Sequence, residues 1–76
     1  MNNTDTPVLR FTFGNFIKDA RVKNGMSQLE VASLAGIDQA YLSKVERGTR
    51  EPTLGVALRI CDALKLDIND YAKQYI

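Results

Sequence analysis

The stretch "SQLEVASLAGIDQAYLSKVERG", from Ser27 to Gly48, contains two short helical patterns that are separated by little more than a glycine and an isoleucine. Ser27 and Glu30 have the spacing of a capping box, in which each side chain bonds to the backbone N–H of the other residue at the start of a helix. Gly36 stands where the turn needs a positive φ angle, which only glycine adopts at little cost. Asp38 can cap the second helix. The stretch therefore predicts two helices joined by a short turn, which is a helix-turn-helix unit.

The second helix of this unit carries polar residues that its packing does not require. Leu42 and Val45 lie three residues apart and are expected to face the first helix of the chain, so they account for its buried side. The side chains left to project outward are Gln39, Ala40, Ser43, Lys44 and Arg47. A purely structural helix would need nothing in particular at these positions, so they are candidate functional residues.

Three further helical patterns flank this unit. Apolar residues with helical spacing predict a first helix that Thr12 caps and Gly25 ends, a fourth that begins at Pro52-Thr53, and a fifth that Asp67 caps. The residues expected on the inward faces of the first, second and fourth helices are Phe13, Phe16, Ile17, Ala20, Leu29, Ala32, Leu34, Leu54, Ala57, Leu58, Cys61 and Leu64. Ile68, Tyr71, Ala72 and Tyr75 share one side of the fifth helix, with Tyr71 expected mostly in the core and Tyr75 mostly at an interface. The predicted fold class is all-α, with five short helices.

The first twelve residues are expected to lie outside this helical body. Leu9, Phe11 and Phe13 alternate with polar residues, a period of two that is typical of a strand. Since nothing else in the chain resembles a strand, the segment could be disordered, pair with a second subunit, or pack on the helices as an extended arm, which we favour. The predicted organisation is an N-terminal arm over 1–12, partly flexible, and a helical domain over 13–76.

Length and charge limit the class of protein. A chain of 76 residues forms one small domain with a single core. The net charge of +1 means that any site for nucleic acid must be a local basic patch on a nearly neutral body. The sequence shows neither an apolar run long enough to cross a bilayer nor a secretory signal, so we expect no membrane association.

The content of reactive residues argues against a catalytic or metal-binding protein. Cys61 is the single cysteine, so it cannot form an internal disulfide, and its place on an apolar stripe favours a role in the core. The chain has no histidine, which makes a zinc site very improbable. Without a nucleophile or a carboxylate constellation, we expect no enzymatic activity, no metal and no cofactor, in a reduced cytoplasmic setting.

Several motifs coincide over residues 13–71. They are Arg21, Gly25, Ser27 and Gln28 in the spacing R-x3-G-x-SQ, "LAGI" at 34–37, "YLSKVERG" at 41–48, Arg50, "PTL" at 52–54, and the helix with Leu58 and Leu64. In this combination the chain resembles the Cro/CI-type helix-turn-helix family, also called XRE-type transcriptional regulators. It is similar to small stand-alone phage repressors and restriction–modification controller proteins. The resemblance implies a five-helix, lambda-repressor-like DNA-binding domain.

In this family the helix after the turn is the recognition helix, whose N-terminal residues enter the major groove of DNA. The resemblance implies that the corresponding helix, at about 38–47, reads bases through Gln39, Ala40 and Lys44. It implies contacts to the DNA backbone from Ser27, Gln28, Tyr41, Ser43, Arg47 and Arg50. A glutamine amide can pair with adenine in the major groove. Free N–H groups at the start of the second helix favour a phosphate.

Three of these residues each have two alternative roles. Lys44 could reach either a guanine or a phosphate. Tyr41 could pack on a sugar and a phosphate, or it could cover the turn. Gln28 could bond to a phosphate or brace Gln39. The resemblance also implies that Arg21 and Glu46 form a partly buried ion pair between the first and third helices.

Apolar residues near the C-terminus exceed what the core of so small a chain requires, and they are Ile68, Ala72, Tyr75 and Ile76. An exposed patch of this kind usually marks a partner site, so we expect a homodimer through the fifth helix. The predicted function is sequence-specific binding of double-stranded DNA by a transcriptional regulator that acts as a homodimer on palindromic half-sites. The alternative is an antitoxin or adaptor that uses the same fold to bind another protein. A protein partner in addition to DNA also stays open.

Overall fold

The structure is a computed structural model that describes the backbone of residues 5–75 and the side chains of residues 13–74. The five helices are α1 (Asp5–Lys23), α2 (Gln28–Ala35), α3 (Gln39–Arg47), α4 (Leu54–Ala63) and α5 (Ile68–Tyr75). Residues 5–75 contain no strand, which confirms the predicted all-α fold with five helices. None of the helices in this range is long and apolar enough to cross a membrane.

The expectation of an extended segment before the first helix is wrong. The α1 helix begins at Asp5, so Thr12 lies inside it and is not its cap. Pro7 falls in the first turn, where its missing N–H has no helical partner to lose. Leu9 and Phe13 are four residues apart and fit a helical period as well as a strand period, and so short a segment does not distinguish the two. Residues 1–4 of the predicted arm lie outside the described residues.

The predicted signals at the ends of α2 and α3 form as expected. Ser27 Oγ accepts a hydrogen bond from the backbone N–H of Glu30 at 3.0 Å, and Glu30 Oε1 accepts one from the backbone N–H of Ser27 at 2.8 Å. Gly36 ends α2 with φ of 73°. Asp38 Oδ1 accepts from the backbone N–H of Tyr41 at 2.8 Å. The helix-turn-helix unit is therefore fixed at both of its helix starts by side chains within four residues.

The core lies between the inward faces of the first four helices. Its buried apolar residues are Ile17, Val31, Ala32, Ala35, Leu42, Val45, Ala57, Ile60, Cys61 and Leu64. Ala32, Leu42 and Val45, three of the inward residues predicted for the helix-turn-helix unit, are buried. Against this core, Phe13, Phe16 and the half-buried Tyr71 form an aromatic cluster, with centroid distances of 5.4 and 5.5 Å from Tyr71 to the two phenylalanines. This cluster joins α5 to α1.

Four leucines that were expected to face inward are between 44% and 69% exposed, and they are Leu29, Leu34, Leu54 and Leu58. On α2 the buried face is centred between Val31 and Ala35, one turn apart, and both leucines of that helix point well away from it. On α4, Leu58 lies about 100° around the helix from the buried Ala57, and Leu54 is the first helical residue. Ile60, which the pattern did not single out, is fully buried instead.

Gly14 sets the distance between α1 and α3. A Cβ atom built on it would lie 2.4 Å from the carbonyl oxygen of Val45 and 2.9 Å from that of Glu46. Both distances are too short for any real Cβ atom, so only glycine allows α1 to lie this close to the backbone of α3. The last turn of α3 therefore rests directly on α1.

Candidate nucleic-acid interface

The α3 helix has one fixed side and one open side. Leu42, Val45 and Glu46 face inward and are buried. Most of the predicted contact residues on the other side are exposed, and they are Gln39, Ala40, Lys44 and Arg47. Within the described part of the chain, the side chains of Gln39 and Lys44 make no hydrogen bond or ion pair. These two polar groups are therefore free to bond to another molecule.

The loop after α3 is tied to the end of that helix. The carbonyl oxygen of Lys44 accepts hydrogen bonds from the backbone N–H groups of Thr49 at 3.0 Å and Arg50 at 3.3 Å, and from Thr49 Oγ1 at 3.2 Å. Gly48 closes the helix with φ of 79°. On the helix itself, Arg47 Nη1 donates a hydrogen bond to the half-buried Ser43 Oγ. The loop therefore holds a constant position relative to α3.

Tyr41 and Arg50 lie together at this end of the unit. The Arg50 guanidinium carbon is 5.2 Å from the centroid of the Tyr41 ring, a distance at which the ring face attracts a cation. The tyrosine ring also packs against the core and is half-buried. The ring therefore contacts both the core and the exposed Arg50 guanidinium, and the two roles open to Tyr41 stay predictions.

The start of α2 presents backbone donors. The N–H groups of Gln28 and Leu29 are the first in this helix, and they have no acceptor among the described residues. The capping box occupies only the N–H groups of Ser27 and Glu30. Free donors and the positive end of the helix dipole make this position suitable for an anion.

The side chain of Gln28 turns inward instead of toward Gln39. Its Nε2 donates to Glu46 Oε1 at 3.0 Å, and the residue is half-buried. The expectation that it braces Gln39 is therefore wrong for this structure, because a buried carboxylate is a stronger acceptor than an exposed amide. Its partner lies on the inward side of α3.

Arg21 and Glu46 form the ion pair that the resemblance implied. Arg21 Nε donates to Glu46 Oε2 at 2.8 Å, and Nη2 donates to Oε1 at 3.0 Å, which is a two-pronged arrangement. Arg21 Nη1 also donates to the carbonyl oxygen of Met26 at 2.9 Å. The hydrogen bond to Glu46 raises the pKa of Arg21 above its ordinary value. The pair ties α1 and the turn after it to α3.

The surface expected to form a dimer is described only in part. Ile68 and Ala72 on α5 are half-buried. The side chain of Tyr75 and all of Ile76 lie outside the described residues.

Elsewhere, a groove of about 710 Å³ runs between α1, α2 and the turn from α4 to α5. Its apolar lining includes Phe16 and the exposed Leu34.

Three features of this region were missed at the level of sequence. They are the contact of Gly14 with the α3 backbone, the bond from Gln28 to Glu46, and the stacking of Arg50 on Tyr41. A glycine inside a helical pattern is a visible signal of close packing. The other two features join residues far apart in the chain and had no signal of their own. Among the described side chains, no cluster of histidine, cysteine or carboxylate groups could hold a metal ion.

Comparison with known proteins agrees with this geometry. A family model described as Helix-turn-helix matches residues 17–71, a range that contains α2, α3 and α4 in full. The transcriptional regulator ClgR of Mycobacterium tuberculosis is 34% identical over 62 residues, which make up 82% of this chain and 55% of that protein. This chain therefore spans about half the length of that curated relative.

Two solved structures share the fold. The restriction-modification controller protein C.AhdI from Aeromonas hydrophila is 31% identical, with a TM-score of 0.79, and the match covers 84% of this chain and 97% of that one. The clp gene regulator ClgR from Corynebacterium glutamicum is 27% identical, with a TM-score of 0.82, and the match covers 88% of this chain and 71% of that one. Both matches include most of the five-helix body.

Proposed function

Because this chain belongs to the Cro/CI-type (XRE) helix-turn-helix family and has the DNA-binding fold of its regulators, we propose that it is a transcriptional regulator that binds specific sequences of double-stranded DNA as a homodimer. The observation that carries the proposal is the contrast on α3. Its inward side is buried in the core. The side chains of Gln39 and Lys44, by contrast, are exposed and make no hydrogen bond or ion pair within the described chain. A helix held in this way can place its first turns in the major groove.

The base-reading role falls to the first two turns of α3. The Gln39 amide can donate to N7 and accept from the N6 amino group of adenine, a bidentate contact that contributes about 1–3 kcal/mol of discrimination. Ala40 offers only a methyl group, which suits a thymine methyl or leaves room for one. Lys44 lies five residues after Gln39 and can reach a guanine or a phosphate.

The positioning role falls to groups on both sides of α3. The free N–H groups of Gln28 and Leu29 at the start of α2 suit one phosphate, with Ser27 beside it, and Gln28 takes part through its backbone because its side chain bonds to Glu46. Arg47 and Arg50 suit phosphates on the other side, because the loop that carries Arg50 is bonded to the Lys44 carbonyl. Ser43 holds Arg47, and Tyr41 supports Arg50. Such contacts fix the register of a protein on DNA without reading its sequence.

The homodimer would form through α5, with Ile68, Ala72, Tyr75 and Ile76 at the interface. One recognition helix reads only a few base pairs, and dimers of this type bind half-sites about 34 Å apart. The matching solved structures include a protein named as a restriction-modification controller and one named as a clp gene regulator. Sedimentation of the free protein at high micromolar concentration tests the dimer, and a purely monomeric protein would contradict it.

A second function is favoured by the groove beside α2. Leu34 is 66% exposed and lines this groove together with Phe16, and a groove with an apolar lining suits a protein contact. An antitoxin or adaptor would use this surface and would not discriminate between DNA sequences. Competition between a random duplex pool and a pool selected on the protein separates the two functions, since only a regulator prefers the selected pool.

The decisive experiment is selection of bound duplexes from a random pool, followed by two substitutions. Gln39→Ala should flatten the preference among sequences and leave non-specific affinity almost unchanged, because the amide touches only bases. Arg50→Ala should weaken binding to all sequences alike and reduce the salt slope by roughly one unit. Arg59→Ala is the matched control, since it removes an exposed arginine from α4. If Gln39→Ala weakens every sequence equally, Gln39 does not read bases.

A further inference from the structure

The Glu46 carboxylate is the point at which three helices meet. Its Oε1 accepts two hydrogen bonds, one from Arg21 Nη2 on α1 and one from Gln28 Nε2 on α2, each at 3.0 Å. The glutamate itself belongs to α3, and its side chain is 3% exposed. Each of the three helices therefore contributes one side chain to the same buried group.

The backbone N–H and the side chain of Gln28 point in different directions. Its backbone N–H is at the start of α2 and has no acceptor in the described chain, so it faces the position that suits a phosphate. Its side chain points the other way and bonds to Glu46 on α3. One residue thus lies between the predicted phosphate site and the helix predicted to read bases.

We propose that Gln28 is a positioning residue, which fixes the tilt of α3 relative to the phosphate-binding end of α2 and so sets base discrimination without touching a base. The inference rests on the proposed DNA binding. It identifies a residue on which the sequence specificity of that binding depends. Apolar packing between α2 and α3 is not directional. A hydrogen bond, by contrast, restricts both distance and angle. The bond from Gln28 to Glu46 is therefore a directional contact between the start of α2 and the last turn of α3, at the opposite end of both helices from the turn that joins them.

The geometry of α3 magnifies small changes at Glu46. Gln39 lies seven residues before Glu46, which corresponds to about 10 Å along the helix axis. A tilt of about 6° around Glu46 would therefore move Gln39 by about 1 Å. Base-reading hydrogen bonds tolerate only a few tenths of an ångström between donor and acceptor. Phosphate contacts made by flexible arginines tolerate such a shift, because they depend on charge more than on angle.

The experiment measures affinity for the selected duplex and for a random duplex in four proteins. They are the unchanged chain, Gln28→Met, Gln39→Ala and the double variant. Methionine keeps the length of the side chain and removes the donor. Gln28→Met should lower the ratio of specific to non-specific affinity at least about tenfold, while non-specific affinity stays within about twofold. In the Gln39→Ala background the same substitution should change the ratio by less than about twofold, because Gln39 is the base-reading side chain farthest from Glu46 and the one that a tilt moves most.

Three further variants complete the test. Gln28→Lys keeps a donor for Glu46 and should retain most of the specificity ratio, and if Gln28→Met does not fold, the comparison of Gln28→Lys with Gln28→Ala replaces it. Gln74→Met on α5 is the control for the same chemical change at an exposed glutamine. If Gln28→Met weakens both duplexes equally, Gln28 is only a phosphate contact and the inference is overturned. If the unchanged chain shows no preference for any duplex, the proposed function itself fails.

Discussion

The two sides of α3 differ in how much of the molecule depends on them. On the inward side, Leu42 and Val45 pack in the core, and Glu46 accepts hydrogen bonds from α1 and α2. On the outward side, Gln39 and Lys44 are exposed and make no bond within the described chain. The inward side therefore determines where the helix lies, and the outward side determines what it can bind.

This division separates stability from specificity within nine residues. A change on the inward side should alter the folding of the whole chain, because it removes contacts to two other helices. A change on the outward side should leave the fold intact and alter binding only. Surface substitutions away from special contacts usually change stability by less than about 0.5 kcal/mol.

The largest effect is expected from Glu46→Ala. It leaves the Arg21 guanidinium partly buried with no carboxylate, and loss of one partner from a buried pair costs about 3–5 kcal/mol. A chain of this length has a total stability of roughly 4–11 kcal/mol, so the variant should lose a large share of its free energy of unfolding. Urea titration followed by circular dichroism measures this. Gln39→Ala is the comparison on the outward side, and its free energy of unfolding should stay within about 0.5 kcal/mol of the unchanged chain. A loss below about 1 kcal/mol in Glu46→Ala would show that the pair does not hold α3.

The next effect concerns the backbone of α3. Gly14→Ala places a methyl group 2.4 Å from the carbonyl oxygen of Val45, and backbone cannot move aside as a flexible side chain does. Overpacking of this kind costs about 1–3 kcal/mol, and we expect a loss at the upper end. Thermal unfolding should show it as a lower midpoint.

Gly55→Ala is the matched control for this substitution. Gly55 lies in α4, and nothing comes within 4 Å of a Cβ built on it. Since alanine is the better helix former by about 0.8–1.0 kcal/mol, this variant should be slightly more stable than the unchanged chain. If both glycine variants behave alike, α1 and α3 are not as close as the structure has them.

Local signals predicted most of the helix ends. Ser27, Glu30, Asp38 and Gly36 act on neighbours within a few residues, so their effects are legible without the rest of the fold. The start of α1 could not be predicted from the sequence, because its residues fit both a strand and a helix. The buried faces were predicted less well, since the phase of α2 depends on which face its neighbours cover.

The candidate site divides in the same way. That Gln39 and Lys44 are exposed follows from assigning Leu42 and Val45 to the core. The bond from Gln28 to Glu46 joins residues 18 apart in sequence, and no periodic pattern predicts such a contact. The pairing of Arg21 with Glu46, 25 residues apart, was implied by the family resemblance and not by spacing. Contacts between distant side chains require the assembled fold.

The smallest effect on stability is expected from Cys61, which lies on the inward side of α4. Burial, and secondly the nearby charge of Asp67, raises the pKa of this thiol above its ordinary value of 9.0. The folded chain therefore keeps the thiol proton at a pH where the unfolded chain has lost it. Stability from this group is complete below pH 9.0 and falls as pH rises above it, by at most about 1.4 kcal/mol per pH unit.

Lysine and tyrosine side chains also titrate at alkaline pH, so the prediction concerns a difference between two proteins. The free energy of unfolding should fall more steeply between pH 8.5 and 10.5 in the unchanged chain than in Cys61→Ala, although the alanine variant is less stable at neutral pH because it leaves a small cavity. Parallel slopes would mean that the thiol titrates alike in the folded and unfolded chain. The inward side of α4 would then be more open to water than that of α3, where the side chain of Glu46 is 3% exposed.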